Sequence, residues 1–191
     1  MAVYTKISKK DISYINSKFD MEELISFQGI KQGIENTNYL LKSKKNKFIL
    51  TIFEKRVSDK ELPFFMQLMQ ILNHYKINCP KPIKNNEGSY FINLKNKKAC
   101  IVTFLEGKDK KNLNIKNCFE IGKIIARMHL ITKNIKLNRK NSMGINNLNS
   151  LLKLIKFKSK KFDYLEKFLK SNLNNVKKKG LKTYQKGWFM E

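Results

Sequence analysis

Gly29 and Gly33 stand four residues apart in the stretch Phe27 to Leu41, FQGIKQGIENTNYLL, and Asn36 and Asn38 follow within five residues. Glycine has no Cβ, so backbone N–H groups in a bend built on it can come close to a phosphate. The chemistry this spacing suits is the covering of nucleotide phosphates by a loop between two strands. A plain β-hairpin also uses glycines, and Asn36 and Asn38 also suit turn stabilisation. Both readings stand at this level.

The elements flanking the loop are legible from periodicity. The turn Lys44-Lys45-Asn46-Lys47 leads into Phe48-Ile49-Leu50-Thr51-Ile52-Phe53, a β-branched and aromatic strand. Ahead of the loop, Ser8 to Phe19 reads as a helix with Ser8 as N-cap and Ile12, Ile15 and Phe19 on one side. After Arg56, Ser58 and Glu61 have capping-box spacing, and Leu62, Phe65, Met66, Met69 and Leu72 repeat at helical spacing to about Tyr75. Pro80 and Pro82 end that pattern. Two strands, Ser89 to Leu94 and Ala99 to Phe104, are expected around a turn at Lys95 to Lys98. Five strands with one long helix inserted after the third match the small lobe of a protein-kinase-like fold, so the fold class is α+β with a five-stranded antiparallel sheet. Residues 1–107 form this lobe, and Gly107 to Asn114 is the expected boundary. Residues 108–182 read as the start of a helical large lobe, with Cys118, Ile121, Ile124, Ile125 and Met128 on one face, a loop from Asn138 to Asn149, and helices at Leu151 to Phe157 and Phe162 to Leu173.

Six short blocks carry a more specific resemblance. They are Met1-Ala2-Val3-Tyr4-Thr5, the loop from Gly29 through Gly33 to Tyr39, Ile49 to Arg56, Glu61-Leu62-Pro63-Phe64-Phe65, Cys79-Pro80-x-Pro82, and Phe104-Leu105-Glu106-Gly107. In this order they resemble the bacterial homoserine kinases of the aminoglycoside phosphotransferase and choline kinase superfamily, from residue 1 to about residue 182. The resemblance implies ATP and Mg²⁺ as cofactors and phosphorylation of the hydroxyl of L-homoserine, a step towards threonine. It places Gly29, Gly33, Asn36 and Asn38 over the phosphates. Thr51 aligns with the third-strand lysine of the wider superfamily, a departure these homoserine kinases share. Lys55 lies on the same strand face as Thr51 by the two-residue period, either as a cation for the phosphates or as a solvated strand-end charge. Glu61 either orients such a cation or caps its helix. Phe104 and Glu106 mark the segment whose backbone pairs with the adenine edge. His129 matches a histidine at a helix end that is not catalytic.

Phosphoryl transfer needs an aspartate beside the acceptor hydroxyl and further carboxylate or amide ligands for Mg²⁺. The resembled family supplies these on a loop of the form His-Gly/Ala-Asp-x-x-x-x-Asn and on a later strand, and neither occurs here. Asp109 and Asp163 are the only aspartates beyond Asp59 and lie outside such a context. No catalytic residue is therefore assigned. The stretch Thr183 to Glu191 departs from the family, and read two nucleotides downstream it is compatible with the run-up to that loop. The expectation is a truncated chain with a frameshift near Lys182. A non-catalytic nucleotide-binding or regulatory module of the same fold is the alternative.

Composition excludes other classes. The net charge is +25, but it is spread as +8 over residues 1–107 and +17 over 108–191. Of the 40 basic residues 37 are Lys, and Lys, Asn and Ile fill 80 of 191 positions. All three have codons built largely from A and T, so base composition explains the charge better than a nucleic-acid partner, which is not expected. Cys79, Cys100 and Cys118 have no metal-site or disulfide spacing and fit free thiols in a reducing cytoplasm. A polar N-terminus and the lack of an 18-residue apolar run predict no signal peptide or membrane helix.

Overall fold

A computed structural model describes residues 3–54, 58–137, 139, 148, 150, 164 and 167–175. Residues 1–139 form one compact unit and residues 140–191 a second. In the first, the order is α1 (Lys9–Lys18), β1 (Ser26–Gly29), β2 (Thr37–Lys42), β3 (Lys47–Ile52), α2 (Leu62–His74), β4 (Ile92–Leu94), β5 (Lys97–Thr103) and α3 (Ile115–Thr132). The strands form one sheet in the order β1-β2-β3-β5-β4, antiparallel throughout. The expected five-stranded sheet with its inserted helix is present.

Strand alternation gives the sheet two apolar faces. Tyr39, Leu41, Phe48, Leu50, Ile52, Ala99 and Ile101 are buried with Ile12 and Ile15 of α1 and its C-cap residue Phe19. The opposite residues, Ile49, Cys100 and Val102, pack with Phe65, Met66 and Met69 of α2 and with Phe53 and Phe91. Both faces carry helices because each presents a cluster of apolar residues that a helix can cover. The β2–β3 turn is closed by Glu22, whose carboxylate accepts from Ser43 Oγ (2.5 Å), Lys45 N (3.2 Å) and Asn46 Nδ2 (3.1 Å).

Several boundaries differ from expectation. β4 begins only at Ile92, and β5 begins at Lys97, not Ala99, the latter because Lys95 and Asn96 both take left-handed backbone (φ 52° and 60°) and close a two-residue hairpin. The capping box at Ser58 and Glu61 does not form. Instead the Glu61 N–H donates to Ser58 O (2.8 Å) in a preceding turn, and Pro63 lies in the first turn of the helix, which begins at Leu62. At α1 the cap is as expected, with the Asp11 carboxylate accepting from the Ser8 N–H and hydroxyl (both 2.7 Å). α3 starts earlier than its apolar stripe, because Asn114 Oδ1 accepts from Asn117 N (2.9 Å) and caps it.

Residues 104–114 carry no helix or strand. In the second unit, residues 167–175 are helical; the expected helix at Leu151 to Phe157 lies outside the described residues. Among the described residues no helix is long and apolar enough to cross a membrane.

No residue of α3 is buried, and Phe119 and Leu130 are 67% and 73% exposed. Ile121 and Ile125 are about half exposed, while Leu152 and Leu165 lie outside the described residues. Such an apolar face should self-associate. Sedimentation is expected to show concentration-dependent association that Ile121→Lys with Ile125→Lys suppresses; a monodisperse parent protein would contradict this.

Candidate functional site

The loop between β1 and β2 is built from two glycines with different tasks. Gly33 has φ of 105°, a conformation that side chains resist. At Gly29 a Cβ would lie 3.0 Å from Val3 Cγ2, so this glycine admits the N-terminal segment against β1. That segment fastens the loop. The Tyr4 hydroxyl donates to Ile34 O (3.1 Å), and Asn36 Oδ1 accepts from Glu54 N (3.3 Å).

Asn38 and Thr51 are direct partners in the β2–β3 register, and Thr51 pairs in turn with Cys100 on β5. All three are on the sheet face that carries α2. The Thr51 hydroxyl donates to Asn38 Oδ1 (2.8 Å), which leaves the Asn38 amide N–H groups to donate elsewhere. Burial pushes the Cys100 thiol up to about 12, so this neighbour stays protonated.

Below the loop is a polar cluster. Glu54 Oε1 accepts from the hydroxyls of Thr5 (2.7 Å) and Thr37 (2.8 Å), and Lys97 forms an ion pair with Glu54 Oε2. Lys97 Nζ also donates to Thr5 Oγ1 (2.7 Å). The fully buried Thr37 Oγ1 accepts from the backbone N–H groups of Tyr4 (2.9 Å) and Thr5 (3.1 Å). Burial raises the Glu54 pKa, but hydrogen bonds from Lys97, Thr5 and Thr37 and the charge of Lys97 outweigh it and hold the carboxyl below 4.5.

The other sequence-selected residues are dispersed. At the far end of β3, Phe104 N donates to Lys47 O (3.2 Å). Lys47 Nζ lies 5.4 Å from the Phe104 ring centroid and 2.7 Å from Glu106 Oε1. This exposed ion pair contributes little to stability. Glu61 stands at the N-cap of α2, where its Oε1 lies 3.4 Å from Arg139 Nε. Lys55 lies outside the described residues.

Gly33, Asn36, Asn38 and Thr51 thus gather at one end of β1–β3, and Phe104 to Glu106 at the other. Five residues of strand, Lys47 to Thr51, span about 13 Å over their four steps. Sequence reasoning missed Glu54, Thr5, Thr37 and Lys97; a Thr at an inward position of β2 and a Glu closing an apolar strand were the available signals. Among the described residues no three His, Cys, Asp or Glu side chains are placed to hold a metal ion.

Residues 26–167 match the phosphotransferase enzyme family. The homoserine kinase of Bradyrhizobium diazoefficiens is 41% identical over 145 residues, which are 76% of this chain and 44% of that protein. The homoserine kinase of Bartonella henselae is 35% identical over 189 residues, 95% of this chain and 59% of that one. The chain therefore spans about half the length of these relatives. Among solved structures, spectinomycin phosphotransferase in complex with ADP and spectinomycin superposes with a TM-score of 0.59 at 15% identity, covering 91% of this chain and 56% of that one. Amicoumacin kinase in complex with AMP-PNP superposes at 0.58 with 16% identity, covering 76% and 48%. These structures share the fold.

A carboxyl held below its ordinary value stabilises the folded protein above pH 4.5, and this contribution is lost as pH falls through the folded-state value. Glu54→Gln is expected to cost about 2 kcal/mol at neutral pH. Its stability should also change less than the parent's as pH falls below that point, as followed by urea unfolding. Parallel pH profiles for the two proteins would contradict the assignment.

Proposed function

This chain belongs to the phosphotransferase enzyme family, and from that premise we propose that it is the nucleotide-gripping part of an ATP-dependent homoserine kinase. The observation that carries the reading is the arrangement along β3. A glycine loop and two polar side chains stand at one end, and a segment beyond the last strand pairing stands at the other. Their separation suits an extended nucleoside triphosphate lying along the strand. Homoserine as the acceptor, and hence a role in threonine biosynthesis, rests on the names of relatives at 35–42% identity.

In this reading the backbone N–H groups of residues 31–36 and the Asn38 amide donate to the phosphates. Thr51 fixes the orientation of that amide, so neutral donors replace the lysine expected of the fold. The backbone of Phe104 to Glu106 offers its edge to the base. Bound ATP would supply the transferable phosphoryl group. The residues described do not fit Mg²⁺, because no acidic cluster is at hand, and no step is assigned to a metal. The 191 residues contain no aspartate in a catalytic-loop context to take the acceptor proton. That supports the second reading, a nucleotide-binding module that does not turn over alone. The free thiols of Cys79, Cys100 and Cys118 support a reducing cytoplasmic setting.

Calorimetry with a non-hydrolysable ATP analogue is expected to show binding by the purified chain. Thr51→Val should weaken it about threefold to tenfold, through loss of one hydrogen bond, while Thr51→Ser preserves it. A coupled ADP-release assay should show no homoserine-dependent turnover. Turnover would overturn the non-catalytic reading, and absence of analogue binding would overturn both.

A further inference from the structure

Only three of the chain's 40 basic residues are arginines, Arg56, Arg127 and Arg139, and two of them hold α2. At the C-terminal end of α2, Arg127 Nη2 donates to the carbonyl of Tyr75, the C-cap residue (2.8 Å). At the N-terminal end, Arg139 lies 3.4 Å from the Glu61 carboxylate, and its guanidinium sits 4.9 Å over the ring centroid of Phe65, one turn into the helix. The Glu61 and Arg139 side chains are each 26% exposed, so the pair is partly shielded from water. Arg139 Nε is buried and makes no hydrogen bond, which leaves attraction to Glu61 and the Phe65 face as its compensation.

Both contacts suit the field of the helix. A cation at the last carbonyls and an anion at the first turn are each favoured by the α2 dipole. A guanidinium is also required for Arg139's double task. Its plane stacks on an aromatic ring while its edge faces a carboxylate, whereas an ammonium is a compact, strongly hydrated point charge. In a chain that uses Lys almost everywhere, position 139 is one where Lys would not serve.

We propose that Arg139 is a positioning residue for the nucleotide site: through Glu61 and Phe65 it sets α2 against the sheet, with Arg127 securing the other end. Phe65, Met66 and Met69 transmit that position to Ile49 and Phe53, two residues either side of Thr51, to Cys100, its register partner, and to Val102, the partner of Ile49. Glu61 therefore acts on the site through α2 and Arg139. This inference rests on the nucleotide reading above.

The test is a double-mutant cycle in the full chain, reading both the affinity for a non-hydrolysable ATP analogue and the melting temperature. Arg139→Gln is expected to weaken binding about fivefold, and Arg139→Lys nearly as much. Glu61→Gln combined with Arg139→Gln should be no worse than either change alone. Arg127→Lys, whose ammonium still reaches a carbonyl, should have the smaller effect. A lower melting temperature with unchanged affinity in both Arg139 variants would show a packing role only and overturn the proposal. Additive losses in the double variant would overturn it too. If the parent chain itself bound no analogue, the nucleotide reading would fall first and this inference with it.

Discussion

The carboxylate of Glu54 joins four pieces of chain that are remote in sequence. It accepts hydrogen bonds from the hydroxyls of Thr5 in the N-terminal segment and Thr37 at the start of β2, and it faces Lys97 at the start of β5. Glu54 itself follows the end of β3, and its backbone N–H reaches Asn36 in the glycine loop. A partly buried carboxylate that lost any of these donors would carry an uncompensated desolvation cost. The cluster is therefore satisfied only when the strands are in register, and it fixes the base of the loop relative to the sheet.

With that base fixed, the two faces of the sheet take different duties. The face against α1 is closed and apolar, with Ile15, Leu41, Leu50, Ile52 and Ile101 almost free of solvent. The face against α2 is mixed. Its apolar part packs Met66 on Cys100 and Val102, while its polar part holds Asn38 and Thr51 half-buried, beside the loop. The same alternation that builds the core on one side thus delivers donors on the other, since successive residues of a strand point to opposite faces.

α2 belongs to neither the loop nor the sheet ladder, and its placement depends on side chains. Its sheet side is apolar, but methionine and phenylalanine contacts alone define an axis poorly, because flexible thioethers adapt to small shifts. Directional contacts at the two ends, to Arg127 and Arg139, supply the missing constraint. α3, which carries Arg127, has no buried residue of its own, so its one described polar link to α2 is prominent.

The sequence by itself determined the strands, the inserted helix and the glycine loop, because these follow from two-residue and 3.6-residue periodicity and from turn chemistry, which are local. It also marked Thr51 and Asn38, since both lie in short blocks of family character. Tertiary structure alone decided that Gly29 makes room for Val3, that the Glu61 side chain faces Arg139 and makes no capping hydrogen bond, and that Glu54 has Thr5, Thr37 and Lys97 as partners. Each of these joins residues far apart in the chain. No local pattern encodes such a pairing, because it is settled by which polar groups the packed strands and helices leave within reach of one another.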